Sequence, residues 1–339
     1  MPADRLTPDN ANEHHSVTMR NTEQAVLEVL TGAPLDTAAS RANIAPTELA
    51  AATHLYQQAG RHALQQATDP TWWQLYLQFP DWHAAEQTAA EHLAPLLNHA
   101  EAAGDITAWW YIRKHPCWRL RLHTQPGAHT EARIGSALDD LVTAGHIERW
   151  WTGIYEPETA AFGGETSMTC AHTLFHADSR AILDLSHHTS PLGRRELSLL
   201  LCTTLIRAAG LEWYEAGDVW HRVAAERSLP ADPAPERLHA MARDVKLVLL
   251  ADSTAEGPML SEDGPLAFAA DWVDVFHRIG AALGTEARAG RLGRGLRQVL
   301  AYHVIFHWNR IGLPPRTQSI LATAASIAIL NPPGGDVRR

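Results

Sequence analysis

The sequence predicts an α+β fold: an N-terminal helical segment, a ferredoxin-like antiparallel sheet, then a mostly helical C-terminal part. Three observations carry that prediction. Apolar residues recur at helical spacing from Thr22 to Leu64 and again beyond Gly163. Between these stretches, short runs rich in Trp, Tyr and Leu alternate with two helical patterns in the order β-α-β-β-α-β. The centre of that block, TAWWYIRKHPCWRLRLHTQ from Thr107 to Gln125, reads as two strands joined by a His115-Pro116 turn.

The elements follow in order. Residues 1–18 are polar and are expected to be disordered. Residues 19–68 predict three short helices, EQAVLEVL, DTAASRANI and TELAAATHLYQQAGRHAL, broken at Gly32-Ala33-Pro34 and at Pro46. Asp36 is placed to cap the second, and Thr47 to open the third with help from Pro46. The arrangement resembles a helix-turn-helix. Its candidate recognition helix, TELAAATHLYQQ, has no Lys or Arg. DNA readout needs cations on phosphates, so a structural or peptide-docking role fits better. The second unit, 69–160, opens at Asp69-Pro70. It predicts a strand in WWQLYLQF and a helix over Ala84–Ala103, with Leu93, Leu96 and Leu97 inward and Gly104 as its stop. The arginine hairpin, a helix over Glu131–Ala144 and a strand in HIERWWTGIYEPE complete it. The third unit, 161–330, predicts helices at Ser179–His187, Arg194–Gly210, Glu212–Glu226, Arg237–Ala251, Trp272–Leu283, Leu292–Ile311 and Thr317–Leu330, with a linker-like break at Pro230–Pro235. Residues 331–339 read as a frayed tail.

Composition narrows the function. With 45% hydrophobic and 19% charged residues, the 339-residue chain has enough apolar material for a sizeable core. A net charge of -10 argues against nucleic acid as a partner. There is no apolar run of membrane-spanning length and no signal peptide, so a cytoplasmic protein without a membrane partner is expected. Cys117, Cys170 and Cys202 lack CxxC spacing, which suggests a reducing compartment.

Two segments carry chemistry. On a strand side chains alternate, so Arg119 and Arg121 share a face while Leu120 and Leu122 take the other. With Arg113, Trp110 and neighbouring rings, they offer cations beside flat aromatic surface, suited to a carboxylate, a polarised carbonyl or a peptide backbone. The second segment is VLAYHVIFHWNRIGLPP, a helical pattern that mixes Tyr302, His303, His307, Trp308, Asn309 and Arg310 into an apolar run. His303 and His307 have the spacing of a metal pair but no HExxH pattern and no evident third ligand, so no metal is assigned. The plainer alternatives are a packed His307, a structural His303, and Asn309 and Arg310 closing the helix before Gly312. Glu158 ends the last strand, where it either moves protons and orients an arginine or caps the turn before Gly163-Gly164. The run GRLGRGLRQ lacks the Lys-Ser/Thr ending of a phosphate loop and reads as a helix start or as a surface for an acidic leader peptide.

The hairpin WWYIRKHPCWRLRLH, the segment IYEPETAAFGG and the terminal HVIFHWNRIGL, in this order, resemble the thiopeptide-type bacteriocin biosynthesis proteins, which are related to the elimination domain of lanthipeptide dehydratases. The resemblance runs from Trp72 to the end. The helices before it look like the front segment of stand-alone members. Relatives tend to carry Arg-Tyr before the Gly-Gly pair, where this chain has Ala161-Phe162. The resemblance implies an enzyme of ribosomal-peptide modification that needs no cofactor. The favoured activity is a pyridine synthase, joining two dehydroalanines by a formal aza-[4+2] cycloaddition with macrocyclisation, dehydration and loss of the leader peptide. Its partner would be a modified precursor with an azole- and dehydroalanine-containing core, beside other biosynthetic enzymes. The alternatives are a stand-alone eliminase of glutamate from glutamylated Ser/Thr and a non-catalytic leader-peptide binder. For the synthase, Tyr302, His307, Arg310 and Glu158 are the expected catalytic groups. Arg113, Arg119, Arg121, Trp110, Trp308 and Asn309 are the expected substrate contacts, and residues 19–68 would dock the leader.

Overall fold

The computed structural model describes residues 21–68, 72–124, 130–229, 234–254 and 257–331. The expectations for residues 1–18, for the Asp69-Pro70 boundary, for most of the Pro230–Pro235 break and for the tail beyond Asn331 lie outside the described residues. The chain divides into two compact units, residues 1–70 and 71–339.

The first unit holds three helices: α1 (residues 21–30), α2 (Leu35–Ala42) and α3 (Pro46–Thr68). Ala25, Val26, Ala38, Ala39 and Leu49 form a small core of their own, with Val29, Leu35 and Ile44 around it. Asp36 does not cap α2. Pro34 holds the cap position without a side-chain bond, and Asp36 lies inside the first turn, where its charge still suits the helix dipole.

The second unit opens with β1 (Trp72–Gln78). A helical stretch follows: α4 (Ala85–Thr88), a π-helical turn (Ala89–Leu93) and α5 (Ala94–Ala102). Then come β2 (Ile106–Lys114), β3 (Cys117–Thr124), α6 (Thr130–Thr143) and β4 (Arg149–Gly153). The strand order is β2-β3-β1-β4 with every neighbouring pair antiparallel, the ferredoxin-like arrangement the sequence predicts. Register sorts the side chains. Leu75, Leu77, Trp109, Tyr111, Trp118, Leu120 and Leu122 share the inner face and join Leu93, Leu97, Ile134 and Leu138 in the core. Trp110 stands opposite Arg121, Ile112 opposite Arg119, and Gln74 and Tyr76 pair with the same two arginines on the outer face.

Among the described residues, seven α-helices complete the unit: α7 (Glu165–Asp184), α8 (Arg194–Ala208), α9 (Trp213–Glu226), α10 (Pro235–Leu250), α11 (Ala270–Arg288), α12 (Leu296–Arg310) and α13 (Pro315–Leu330). α7 begins fourteen residues before the predicted Ser179, at Gly163-Gly164, whose φ angles of 90° and 120° suit glycine and turn the chain into the helix. Its first turns carry Thr166, Ser167 and Thr169, weak helix formers that hide the periodicity. α12 begins at Leu296 and not Leu292, because Gly293 and Gly295 hold the preceding loop. It ends with Gly312 at φ 78° and a Leu313 N–H to Trp308 C=O bond of 3.0 Å. β4 is shorter than predicted. After Gly153 the chain leaves the sheet and carries Tyr155 over its outer face.

α7 and α12 protect the open edge of β2. The Tyr111 N–H donates to Ser179 Oγ at 3.2 Å, and Arg310 Nε donates to the Tyr111 C=O at 3.1 Å. An edge strand with free backbone groups invites mispairing, and this edge is sealed by side chains. No described helix is long and apolar enough to cross a membrane.

Candidate active site

The outer face of the sheet has two halves. Over β2 and β3 it is covered by Tyr155, by Phe162 and by Met168, Ala171 and Phe175 of α7, with Tyr302 and Phe306 of α12 packed against them. Arg121 lies beneath this cover, 3% exposed. Its Nε donates to Gln74 Oε1 at 3.0 Å and its Nη1 to the Arg119 C=O at 3.4 Å. Its guanidinium lies 4.2 Å from the Trp110 ring centre and 5.2 Å from that of Tyr155. Among the described residues no carboxylate forms an ion pair with it. Burial brings its pKa down to about 10, with Tyr155 and Glu158 acting in the opposite sense, so it stays cationic at neutral pH. A buried charge without a counter-ion is costly. Here rings and neutral oxygens offset part of that cost, and the guanidinium remains able to take a further oxygen.

Next to it stands a hydrogen-bonded pair. Tyr155 Oη and His172 Nε2 are 2.8 Å apart. Burial first, then His123 and Arg121, pushes His172 down to about 4, so the ring is neutral at pH 7 and can accept the phenol proton at Nε2. Burial and the charge of Glu158 push the Tyr155 phenol above its usual range. Trp72 packs against both, 4.4 Å from the His172 ring and 5.9 Å from that of Tyr155. Glu158 is exposed on the loop above, and its C=O accepts the Phe162 N–H.

α12 presents different faces to different neighbours. Tyr302 and Phe306 face the aromatic cover. Tyr302 is half-buried, with the Arg294 guanidinium 4.7 Å above its ring and Phe162 at 6.2 Å. His307 and Arg310 point into the molecule, where both meet Asp178 of α7. His307 Nδ1 is 3.0 Å from each Asp178 oxygen, and Arg310 Nη1 donates to Oδ2 at 2.5 Å. The Trp272 indole donates to Oδ1 at 2.9 Å. Burial raises the Asp178 carboxyl, but His307 and Arg310 outweigh it and hold it below the carboxylate range. On the far side of the ring, Ser198 Oγ is 3.1 Å from His307 Nε2.

Ser198, His307 and Asp178 thus have the distances of a nucleophilic triad. The burial decides against that use: Ser198 and Asp178 are 0% exposed and the hydroxyl lies inside α8. The set ties α7, α8, α11 and α12 together, and it fixes Arg310, whose guanidinium lies 4.4 Å from the Phe175 ring and 5.7 Å from that of Trp110. His307 and Arg310 therefore stand in the wall behind the aromatic cover, each 1% exposed.

Three expected substrate contacts also change. Arg113 lies on the inner face, one residue out of phase with the pair Arg119 and Arg121, and is ion-paired with Glu86, which also binds Arg194. Trp308 is fully buried on the opposite side of α12 and stacks on Trp220 at 5.9 Å. Asn309 accepts a 3.0 Å bond from Gln318 of α13. Arg119, Arg121 and Trp110 remain on one face. The residues missed by the sequence reading are Gln74, Trp72, Tyr155 and His172. Tyr155 stands inside the IYEPETAAFGG segment, and the i, i+4 pair His172 and His176 was the available signal on α7. Among the described residues no group of three or more His, Cys, Asp or Glu is placed to hold a metal ion.

Residues 72–328 match the protein family described as lantibiotic biosynthesis dehydratase C-term. Among solved structures, the tRNA-dependent lantibiotic dehydratase MibB from Microbispora sp. 107891 matches 76% of this chain with a TM-score of 0.55 and 21% identity, and the chain covers 28% of the length of MibB. The pyridine synthase TbtD of thiomuracin biosynthesis matches 76% of this chain and 97% of its own, with a TM-score of 0.53 and 14% identity. TsrL matches 76% and 94%, with a TM-score of 0.51 and 18% identity. At these identities the likeness is one of fold. No curated protein matches the chain.

Proposed function

The chain belongs to the lantibiotic biosynthesis dehydratase C-terminal family, and from that premise we propose that it is a pyridine synthase of thiopeptide biosynthesis. Its substrate would be a precursor peptide carrying two dehydroalanines. The observation that carries the reading is the buried, unpaired Arg121 beside the Tyr155–His172 pair, under an aromatic cover. A cycloaddition between two parts of one peptide is first an entropy problem, and holding both partners beside this face would supply most of what is needed. The second need is the iminol form of one amide. Its N–H proton must leave while its oxygen gains one. Arg121 and Arg119 are suited to the oxygen, where charge develops. Tyr155 and neutral His172 are suited to the proton, with Tyr302 and Glu158 as the further exchangers at the rim. Two carbon–carbon bonds then close the ring, water leaves, and departure of the leader completes the pyridine. The sum exchanges protons and no electrons. His307 and Arg310 act through Asp178 and Trp110 as positioning residues.

Family membership gives a second reading, elimination of glutamate from glutamylated Ser/Thr. It fits less well because Phe162, buried against Phe175, His303 and Phe306, puts an apolar ring beside Ala161, where the resemblance leads to the expectation of Arg-Tyr. Mass spectrometry after incubation with a dehydrated, thiazole-bearing precursor decides. A pyridine macrocycle with release of the leader is expected. Loss of glutamate mass from a glutamylated peptide, with no cyclised product, would establish elimination instead. Binding without any mass change would leave a non-catalytic leader binder.

A further inference from the structure

The half of the outer sheet face over β1 and β4 is left open. It carries a ladder of alternating cations and rings. The Arg119 guanidinium stands 5.7 Å from the Tyr76 ring centre, Tyr76 stacks on Trp151 at 5.2 Å with 9° between planes, and Arg149 stands 5.1 Å from Trp151. Tyr76 can lie flat there because Gly153 has no side chain: a Cβ at that position would come within 2.3 Å of the Tyr76 ring. Neither Arg119 nor Arg149 forms an ion pair among the described residues. Arg149 Nε instead donates to Gln78 Oε1, and Gln78 Nε2 donates to Glu148 Oε2 at 2.8 Å. In a chain of net charge -10, two arginines held by rings and left without carboxylates mark a local site for anions.

The edge beside the ladder is also open. β4 is the last strand of the sheet, and among the described residues nothing pairs with its outer side. Edge strands are usually blunted by lysine, proline or a covering element. Among the described residues the five-residue β4 has no lysine, proline or covering element, its one charge is Arg149, and Trp151 and Ile154 are 38% and 83% exposed. The opposite edge, β2, is sealed by α7 and α12, so the contrast lies within one sheet. The ladder also runs into the covered half. Gln74 bonds Arg121 through Oε1 and, through Nε2, reaches Tyr76 Oη at 3.1 Å and the Ile154 C=O at 3.0 Å.

We propose that this open half-face and the β4 edge are the track on which an extended, carboxylate-bearing stretch of the peptide substrate lies before it enters the covered half at Arg121. Backbone pairing with β4 supplies affinity that is indifferent to sequence, and the ladder selects acidic and aromatic side chains. The proposal rests on the reading of the protein as a peptide-modifying enzyme. It adds where the substrate docks and which side chains it brings.

The test uses the full chain and four synthetic fluorescein-labelled peptides: one alternating Glu and Phe, its Gln-for-Glu counterpart, and two forms of the first peptide N-methylated at every second residue, one in each register. Fluorescence anisotropy at low salt should show the Glu peptide bound at least about tenfold tighter than the Gln peptide. One N-methylated register should lose binding. Arg149→Gln and Trp151→Ala should each weaken the Glu peptide by about five- to tenfold, with melting temperatures that confirm the fold. Equal affinity for Glu and Gln peptides, or affinity that ignores both substitutions, overturns the proposal. So does a change in sedimentation of Trp151→Ala without a change in peptide affinity, which assigns the face to a second copy. If the ladder variants lose peptide while the parent neither cyclises nor eliminates on modified precursors, docking stands and the proposed chemistry falls. Turnover that persists with an affinity blind to the ladder gives the reverse.

Discussion

At the scale of single residues, the site is defined by a buried cation without a carboxylate and by a phenol hydrogen-bonded to a histidine. Arg121 keeps its charge under an aromatic cover, and Tyr155 meets a histidine that stays neutral. Tyr155→Phe removes one hydroxyl and almost no volume. It should lower kcat by about tenfold or more while the fold persists, since positioned proton transfer contributes 10²–10⁴-fold. Equal kcat in the variant, measured on an authentic precursor, would move proton transfer to Tyr302. His303 gives a different prediction. Both its ring nitrogens are buried without a partner among the described residues, and burial, then Arg310, pushes it down to about 3. His172 is pushed down to about 4. A histidine whose native pKa lies below its unfolded value binds fewer protons when folded. Its stabilising contribution is complete above the unfolded value near 6.5 and declines as pH falls towards the native value. Each such ring adds a slope of up to about 1.4 kcal/mol per pH unit in that window. Melting temperature should therefore drop between pH 6.5 and 4. His303→Leu should make the decline shallower, and at pH 7 it should be neutral or stabilising by about 1 kcal/mol, because it removes unsatisfied polar atoms. A pH profile parallel to the parent's would show that His303 does not titrate in this way.

At the scale of elements, α7, α8, α11 and α12 are joined by one buried polar knot and by close backbone contact. Asp178→Ala leaves Arg310 buried without its counter-ion and should cost about 3–5 kcal/mol. Ser198→Ala removes one neutral hydrogen bond and should cost about 1 kcal/mol, with turnover retained. Urea denaturation and turnover assays separate the two, and loss of turnover in a well-folded Ser198→Ala would restore the triad as a catalytic device. Gly280 and Gly284 bring α11 against α8: a Cβ on them would lie 2.3 Å from the Leu205 C=O and 2.2 Å from the Ala209 C=O. Gly280→Ala should therefore destabilise by about 1–3 kcal/mol through overpacking, read from the same denaturation curves.

The elements differ in how visible they were. Strands and their faces were legible because a period of two assigns Arg119 and Arg121 to one side and Leu120 and Leu122 to the other without tertiary knowledge. The sheet order followed from β-α-β-β-α-β. α7 was half hidden, because its Thr- and Ser-rich start has the composition of a loop and its two initiating glycines look like a break. The surroundings of α12 were hidden for a related reason. Sequence shows that His307 and Arg310 need partners. Only the packing of α7 supplies Asp178 and turns two candidate catalytic groups into a brace. Arg113 was grouped with the other hairpin arginines by proximity, whereas strand phase sends it to Glu86.

At the scale of the whole molecule, the family match begins at residue 72, and the chain divides after Pro70. The first unit carries its own small core of Ala25, Val26, Ala38, Ala39 and Leu49, while Leu55 is 67% exposed and Tyr56 41%. The second unit holds the sheet, α4 to α13 and every group of the candidate site. A helix-turn-helix shape whose candidate recognition helix lacks Lys and Arg is poorly suited to phosphates. Exposed apolar side chains on a short helical unit suit an amphipathic peptide. Removing residues 1–66 should therefore weaken binding of the full-length precursor by about tenfold or more, yet shift the melting temperature of the remaining chain little. It should also leave binding of a leader-free core peptide nearly unchanged, because Arg121, Tyr155 and His172 lie in the part that remains. Anisotropy with the two peptides and a thermal scan read all three quantities. If the truncated chain holds the full-length precursor as tightly as the parent, leader recognition belongs to the second unit, and the arginine-lined track along β4 becomes the place where leader and core are both held.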